Sequence, residues 1–296
     1  MAFLVKFWGT RGSIPTPSHS TRRFGGNTPC VEVKVDDTLI ICDGGSGLRE
    51  LGVDLGQRDG GAPVHGHFFF SHAHWDHIQG FPFFMPVYSP RNTFTVYGTE
   101  EEDDRFFRLL SGQMSSEYFP VAFSDLGAKV EPASLEKQGS EIGGVLVRAF
   151  PQTHPGGSFA YSFESGGKKV VYATDHEYDL DLLNREASLE NPDLVRVLGP
   201  DFIEFIRGAD LLISDSQYLD EEYPSRVGWG HPRATTAVDI AVQAGVKQLA
   251  LFHHDPMHSD AVVLHKEKLC RERLAVLGGS TVVFAAREGM ALRLDH

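Results

Sequence analysis

Three histidines and an aspartate fall within six residues of the run Ser71-His72-Ala73-His74-Trp75-Asp76-His77. Neither a helical repeat nor a strand repeat puts His72, His74, Asp76 and His77 all on one face, so the run is not a core stripe. A loop that leaves a strand and turns into a helix can aim all four side chains at one volume. Imidazole nitrogen and carboxylate oxygen suit zinc, iron or manganese. A single catalytic zinc usually takes three protein ligands. Four ligand-type groups in one loop therefore point to two metal ions, provided that further ligands come from elsewhere.

The rest of the chain offers them at the ends of strands. The short apolar run 67–71 reads as a buried strand that empties into the histidine loop. His154 follows a strand expected at 145–150, Asp175 follows one at 169–174, and His253 ends one at 247–252. Asp43 follows a hairpin formed by 30–35 and 38–43 around the two-residue turn Asp36-Asp37. Strand ends are where loops gather functional groups on a rigid scaffold.

Further strands are expected at 3–8, 93–98, 158–164, 210–214, 280–285 and 289–294, and helices at 233–244 and 260–277. Two insertions interrupt this alternation, near 99–125, with a helical start, and near 177–208, mostly helical. Two groups of strands, each followed by helices, predict an α/β fold of four layers, with two mixed sheets between helices. No linker or fixed repeat divides the chain, so residues 1–296 read as a single domain.

Composition excludes several classes. With 40 acidic and 27 basic side chains the formal charge is −13, so a broad basic surface for extended nucleic acid is not expected. Cys30, Cys42 and Cys270 form no metal-binding or disulfide framework and read as reduced core thiols. No apolar run reaches the roughly 20 residues of a membrane helix, and the start lacks a signal-peptide pattern, so a cytoplasmic protein is expected.

The ligand pattern, from Asp43 through His72, His74, Asp76, His77, His154 and Asp175 to His253, resembles that of the metallo-β-lactamase superfamily, in the family's order. The resemblance implies the αβ/βα sandwich with a dinuclear centre along one edge of the sheets. It implies two divalent ions, zinc before manganese or iron. His72, His74 and His154 would hold one, Asp76, His77 and His253 the other, and Asp175 would bridge, with Asp43 orienting ligands from behind. True zinc β-lactamases commonly carry cysteine where Asp175 stands and lack a histidine like His77, so antibiotic hydrolysis is disfavoured. Gly230-His231-Pro232, a helix, and the segment ending in His253-His254-Asp255-Pro256 resemble the phosphodiesterase branch, which includes tRNA 3′-processing ribonucleases and cyclic-phosphodiesterases. The resemblance makes His231 a general acid, with Asp215 orienting it and Asp76 belonging to both the metal and the catalytic set.

The expected function is hydrolysis of a phosphodiester in a small or cyclic nucleotide-like anion by metal-activated hydroxide. A tRNA 3′-processing endoribonuclease uses the same chemistry, but the acidic insertions and net charge fit RNA poorly. A lactone or thioester hydrolase would not need His231. A non-enzymatic metal-bound regulator would be expected to lack ligands, and none is missing. No membrane partner is implied; a homodimer is compatible with the chain.

Several residues have competing readings. His253 and His254 point to opposite sides of a strand, and the family order favours His253 as the ligand, with His254 and Asp255 lining the site or packing. His176 is expected to face solvent, and His258 and Asp260 to cap or lie on the surface. His19, His65, His67, His265 and His296 have no assigned role. Phe81, Phe83, Phe84, Tyr118, Phe119 and Trp229 are candidates for a pocket wall, and Arg11, Arg22, Asn27 and Thr28 for phosphate contact.

Overall fold

The computed structural model describes residues 2–99, 105–191 and 193–294. Strands β1 (Phe3–Gly9), β2 (Cys30–Val35), β3 (Thr38–Cys42), β4 (His65–Phe69), β5 (Thr93–Thr99) and β6 (Lys129–Leu135) lie side by side in chain order. A second sheet runs from β7 (Ser140–Ile142) through β8 (Val145–Gln152), β9 (Ser158–Ser165), β10 (Lys168–Ala173), β11 (Leu211–Asp215) and β12 (Gln248–Phe252) to β13 (Val282–Ala285). The last strand, β14 (Ala291–Arg293), returns to the first sheet beside β1. Each sheet has seven strands among the described residues, and both mix parallel with antiparallel pairs.

Alternation explains the packing. In β1, Phe3, Val5 and Phe7 are buried while the residues between them are partly exposed. The buried face meets Val31, Val33, Ile40 and Phe69 of its own sheet and Val147, Tyr161, Phe163, Tyr172, Ile213 and Phe252 of the other. Outside the first sheet, helices α1 (Gly47–Gln57), α2 (Trp75–Ile78) and α3 (Arg105–Gln113) contribute Leu48, Leu51, Ile78, Phe106 and Leu110 to a separate apolar layer. Outside the second lie α4 (Arg185–Glu190), α5 (Pro200–Ile206), α6 (Ala234–Gln243) and α7 (Asp260–Leu277). Phe202, Ile206, Ala237, Val238 and Cys270 cover that face. The four layers are those expected, and β11, buried at every position between parallel neighbours, is the continuous apolar run typical of a covered parallel sheet.

The differences are local. The strand expected at 67–71 is displaced to His65–Phe69, so His72 lies beyond it in the loop. Helix α1 carries no clear helical signal in sequence, because Gly47, Gly52 and Gly56 depress helix propensity around its apolar positions. β6 is likewise unmarked in sequence: it is largely exposed and carries Pro132, features of an edge strand. The 177–208 insertion holds two short helices tied by a bridge between Leu182 and Leu198. Residues 100–104, expected to begin a helix, and His296 lie outside the described residues. Among the described residues no helix is long and apolar enough to cross a membrane.

Candidate metal centre and catalytic dyad

Strands β3 and β4 are parallel, as are β10, β11 and β12, and the loops at their carboxyl ends converge on one edge of the sandwich. Asp43, Asp175 and His253 each stand within two residues of a strand's end in the left-handed region, at φ 59°, 55° and 56°. Non-glycine residues rarely adopt that conformation, and such strain of roughly 1–3 kcal/mol per residue concentrates at functional sites. Here it turns each side chain off its sheet and into the shared volume.

All seven expected ligands are found there. Their ligand atoms form overlapping groups within 4.8 Å: His72 with His74 and His154; His72 with His77 and Asp175; Asp76 with His77 and His253. Asp175 and His253 also group with Asp215 and His231. His254, by contrast, turns away and packs, buried, with Nε2 on the carbonyl of Ala286 at 2.8 Å.

Hydrogen bonds behind the histidines decide which nitrogen faces inward. His77 Nδ1 donates to Asp43 Oδ2 at 2.7 Å, His154 Nδ1 to Gly230 O at 2.9 Å and His253 Nδ1 to Gln217 Oε1 at 2.8 Å. His72 Nδ1 meets Ser71 Oγ at 3.1 Å, and that hydroxyl itself donates to Asp43 Oδ2. Each ring therefore presents Nε2 as a lone pair toward the cluster. The buried Nε2 atoms of His72 and His77 have no hydrogen-bond partner. His74 Nδ1 and His154 Nε2 converge to 3.2 Å. Buried lone pairs facing carboxylates are costly unless a cation joins them, so the residues present fit divalent metal ions.

Burial, reinforced by His77, pushes His72 well below its ordinary range. Burial also opposes charge on His77, but the Asp76, Asp175 and Asp43 carboxylates overcome it and push that histidine well above. Against burial, His253, His77 and His72 hold Asp175 well below the usual carboxylate range.

His231 is built differently. Its Nδ1 is 2.7 Å from Asp215 Oδ2, and its ring stacks on His253 at 4.9 Å and meets His154 edge-on at 5.3 Å. Asp215 is fully buried and also accepts from the amides of Asp175 and Gln217. Burial lowers the His231 pKa, yet Asp215 prevails and raises it to about 9. Nδ1 is the atom near Asp175, at 3.8 Å, and it is already committed to Asp215.

Other expectations need correction. His176 and His258 are buried: His176 pairs with Asp181 at 2.8 Å and His258 with Glu222 at 2.9 Å. Arg11 is buried too, and its guanidinium donates to the carbonyls of Gly25, Asp255 and His258. Asn27 and Thr28 bind Glu288 and Ser46, and Arg22 is exposed. From that early loop it is the amide of Ser13 that reaches the cluster, 2.7 Å from Asp76 Oδ2. Phe81 and Phe84 are core, whereas Phe83, Tyr118 and Trp229 are exposed and Phe119 packs edge-on against Phe83. Asp255 pairs with Arg226 at 2.8 Å. The sequence assigns no orienting role to Ser71, Gln217 or Gly230. Ser71 and Gln217 each lie within two residues of a recognised carboxylate or histidine, but nothing local marks what they contact.

A family model described as a beta-lactamase superfamily domain matches residues 40–254. The chain is similar to ribonuclease Z of Pyrococcus horikoshii, with 26% identity over an alignment of 327 positions covering 96% of this chain and 99% of that protein. It is similar in fold to YhfI of Bacillus subtilis, a metallo-beta-lactamase fold protein (TM-score 0.66, 21% identity, 99% of this chain and 100% of that one). A diphosphatase from the PhnP family matches equally well (TM-score 0.67, 18% identity, 99% and 98%).

Proposed function

The chain belongs to the beta-lactamase superfamily domain family and is a metal-dependent hydrolase, and from that premise we propose that it is a dinuclear phosphodiesterase acting on compact anionic substrates. The observation that carries this reading is the His231–Asp215 pair at 2.7 Å, stacked on His253 beside the ligand cluster. His72, His74 and His154 would hold one ion and Asp76, His77 and His253 the other, with Asp175 shared between them. Zinc suits this set of imidazoles and carboxylates. When bound, such ions supply Lewis acidity to water and to the phosphoryl oxygens.

The protein's own groups do the rest. With Nδ1 fixed on Asp215, the His231 ring keeps Nε2 for the leaving oxygen, which departs from phosphorus at high cost unless a proton meets it. Asp215 holds the tautomer and, against burial, favours the protonated ring. Asp43, Ser71, Gln217 and Gly230 keep the ligand rings from rotating, so Nε2 of each stays on the cluster.

A second reading, tRNA 3′ processing, draws support from the name of the Pyrococcus relative. The formal charge of −13 weighs against it, because RNA affinity depends on counterion release by basic surfaces. A cytoplasmic location belongs to the same proposal. The test is to offer metal-loaded protein bis-p-nitrophenyl phosphate, a cyclic nucleotide, a precursor tRNA, a thioester and a lactone at physiological salt. Cleavage of the small phosphodiesters with poor cutting of the precursor is expected. Efficient maturation of the precursor would put the ribonuclease reading first, and turnover of only the thioester or lactone would end the phosphodiesterase reading.

A further inference from the structure

We infer that Glu177 is a positioning residue for His231, a carboxylate clamp that fixes the 228–231 loop against the loops carrying His154 and Asp175. The inference rests on the reading of His231 as proton donor. Glu177 is fully buried. Its Oε1 accepts from the amide of Gly228 at 2.7 Å and the hydroxyl of Tyr223 at 2.8 Å, and its Oε2 from the amide of Gly230 at 2.7 Å. Its own amide donates to Thr153 O at 2.9 Å, one residue before His154. Gly230 O closes the circuit by accepting from His154 Nδ1. Three loops thus meet at Glu177 and Gly230: the Glu177 carboxylate holds the 223–230 segment, its backbone amide and Gly230 O hold the His154 loop, and His231 follows Gly230 directly in the chain.

The apolar side chains of the loop pack little. Val227 and Trp229 are exposed, at 38% and 61%, and Gly228 and Gly230 have no side chains to pack. Gly230 must stay glycine, since at φ 93° a Cβ would lie 2.2 Å from His154 Nδ1. Two nearby amides turned toward one anion form a concave donor pair, a geometry suited to a carboxylate. Burial and the neighbouring Asp179 and Glu177 carboxylates push the Tyr223 phenol far above its ordinary range, which keeps it a donor. The nearby cation Arg233 is committed to Asp179, so Glu177 serves only uncharged donors. A buried carboxylate spent on neutral donors is costly. It acts here one residue from the dyad histidine.

The experiment uses the metal-loaded full chain. Glu177→Gln must set an amide NH2 against at least one donor. On a diester with an alkoxide leaving group it should lower kcat by about 10- to 100-fold, the weight of hydrogen bonds to a charged acceptor. KM and metal content should stay unchanged, and the loss should shrink with a p-nitrophenolate leaving group, as for His231→Ala. Hydrogen exchange should quicken over residues 226–232 and not in β10–β12. Glu177→Asp, which keeps the charge but withdraws it by one methylene, should give the same exchange signature and serves if the Gln variant fails to fold. Equal losses with both leaving groups, or unchanged exchange over 226–232, overturn the inference. If His231→Ala proves fully active, the proton-donor reading falls on its own, while the exchange arm still decides for or against the clamp.

Discussion

Asp43→Asn removes one charge and one acceptor atom at the back of the metal centre, and its cost can be worked from contacts. Asp43 is completely buried, with Oδ1 accepting from Ser71 N at 2.7 Å and Oδ2 from Ser71 Oγ, His77 Nδ1 and Tyr172 Oη at 2.8, 2.7 and 2.6 Å. An amide has one acceptor oxygen. If that oxygen takes the Oδ2 place, three contacts survive and the NH2 opposes the Ser71 amide; reversed, three are lost. The better arrangement still leaves a buried N–H unmet and weakens three charge-assisted bonds, a loss of about 2–3 kcal/mol in folding stability. Asparagine tolerates left-handed backbone, so the φ of 59° adds no strain. The larger effect is on the metal. His77 Nδ1 loses its anionic partner, the ring loses basicity and orientation, and affinity should fall about 10- to 100-fold. Competition against a chelator of known affinity reads the second quantity, and urea unfolding with and without metal reads the first. A folded Asp43→Asn protein that binds metal as tightly as the parent would refute the orienting role.

His231→Ala should keep its metal and lose about 10²–10⁴-fold in turnover, less with p-nitrophenolate, and Asp215→Asn should give a milder version; a variant stripped of metal would make His231 a ligand. In metal-free protein His231 titrates at about 9, since Asp215 outweighs burial. Its pKa is raised from 6.5, so the pair stabilises the fold in full below pH 6.5 and loses that contribution as pH rises through about 9. Urea midpoints across that window should fall in the parent and lose that slope in Asp215→Asn; equal slopes would contradict the pairing. His74→Ala should reduce the content of one metal and Asp175→Ala that of both, read by elemental analysis; full metal content in either would remove that residue from the ligand set.

The ligand set was legible because its chemistry is concentrated: His72, His74, Asp76 and His77 sit together in sequence, and His154, Asp175 and His253 each follow an apolar strand. Fold class followed from the same alternation. What stayed hidden was long-range. Gln217 meets His253 across 36 positions, and Glu177 meets Gly228 and Gly230 across more than 50. No local pattern marks a residue whose value lies in the backbone it holds. Arg11 and His258 depart from expectation for a related reason: their polar type suits a phosphate contact for the one and a capping or surface place for the other, but both are buried against carbonyls or a carboxylate once the early loop folds over 255–258. Strand β6, with its exposed faces and Pro132, lacks the apolar alternation that marks the other strands.

A metal titration tests the dinuclear hydrolase most directly. Protein freed of metal by chelation is loaded with zinc in measured steps, and hydrolysis of bis-p-nitrophenyl phosphate is followed at each step. Activity should be absent at the start and rise to a break at about two equivalents per chain, as two ligand sets sharing Asp175 require. A break at one equivalent would contradict the dinuclear site, and full activity before any metal is added would contradict metal-dependent hydrolysis altogether.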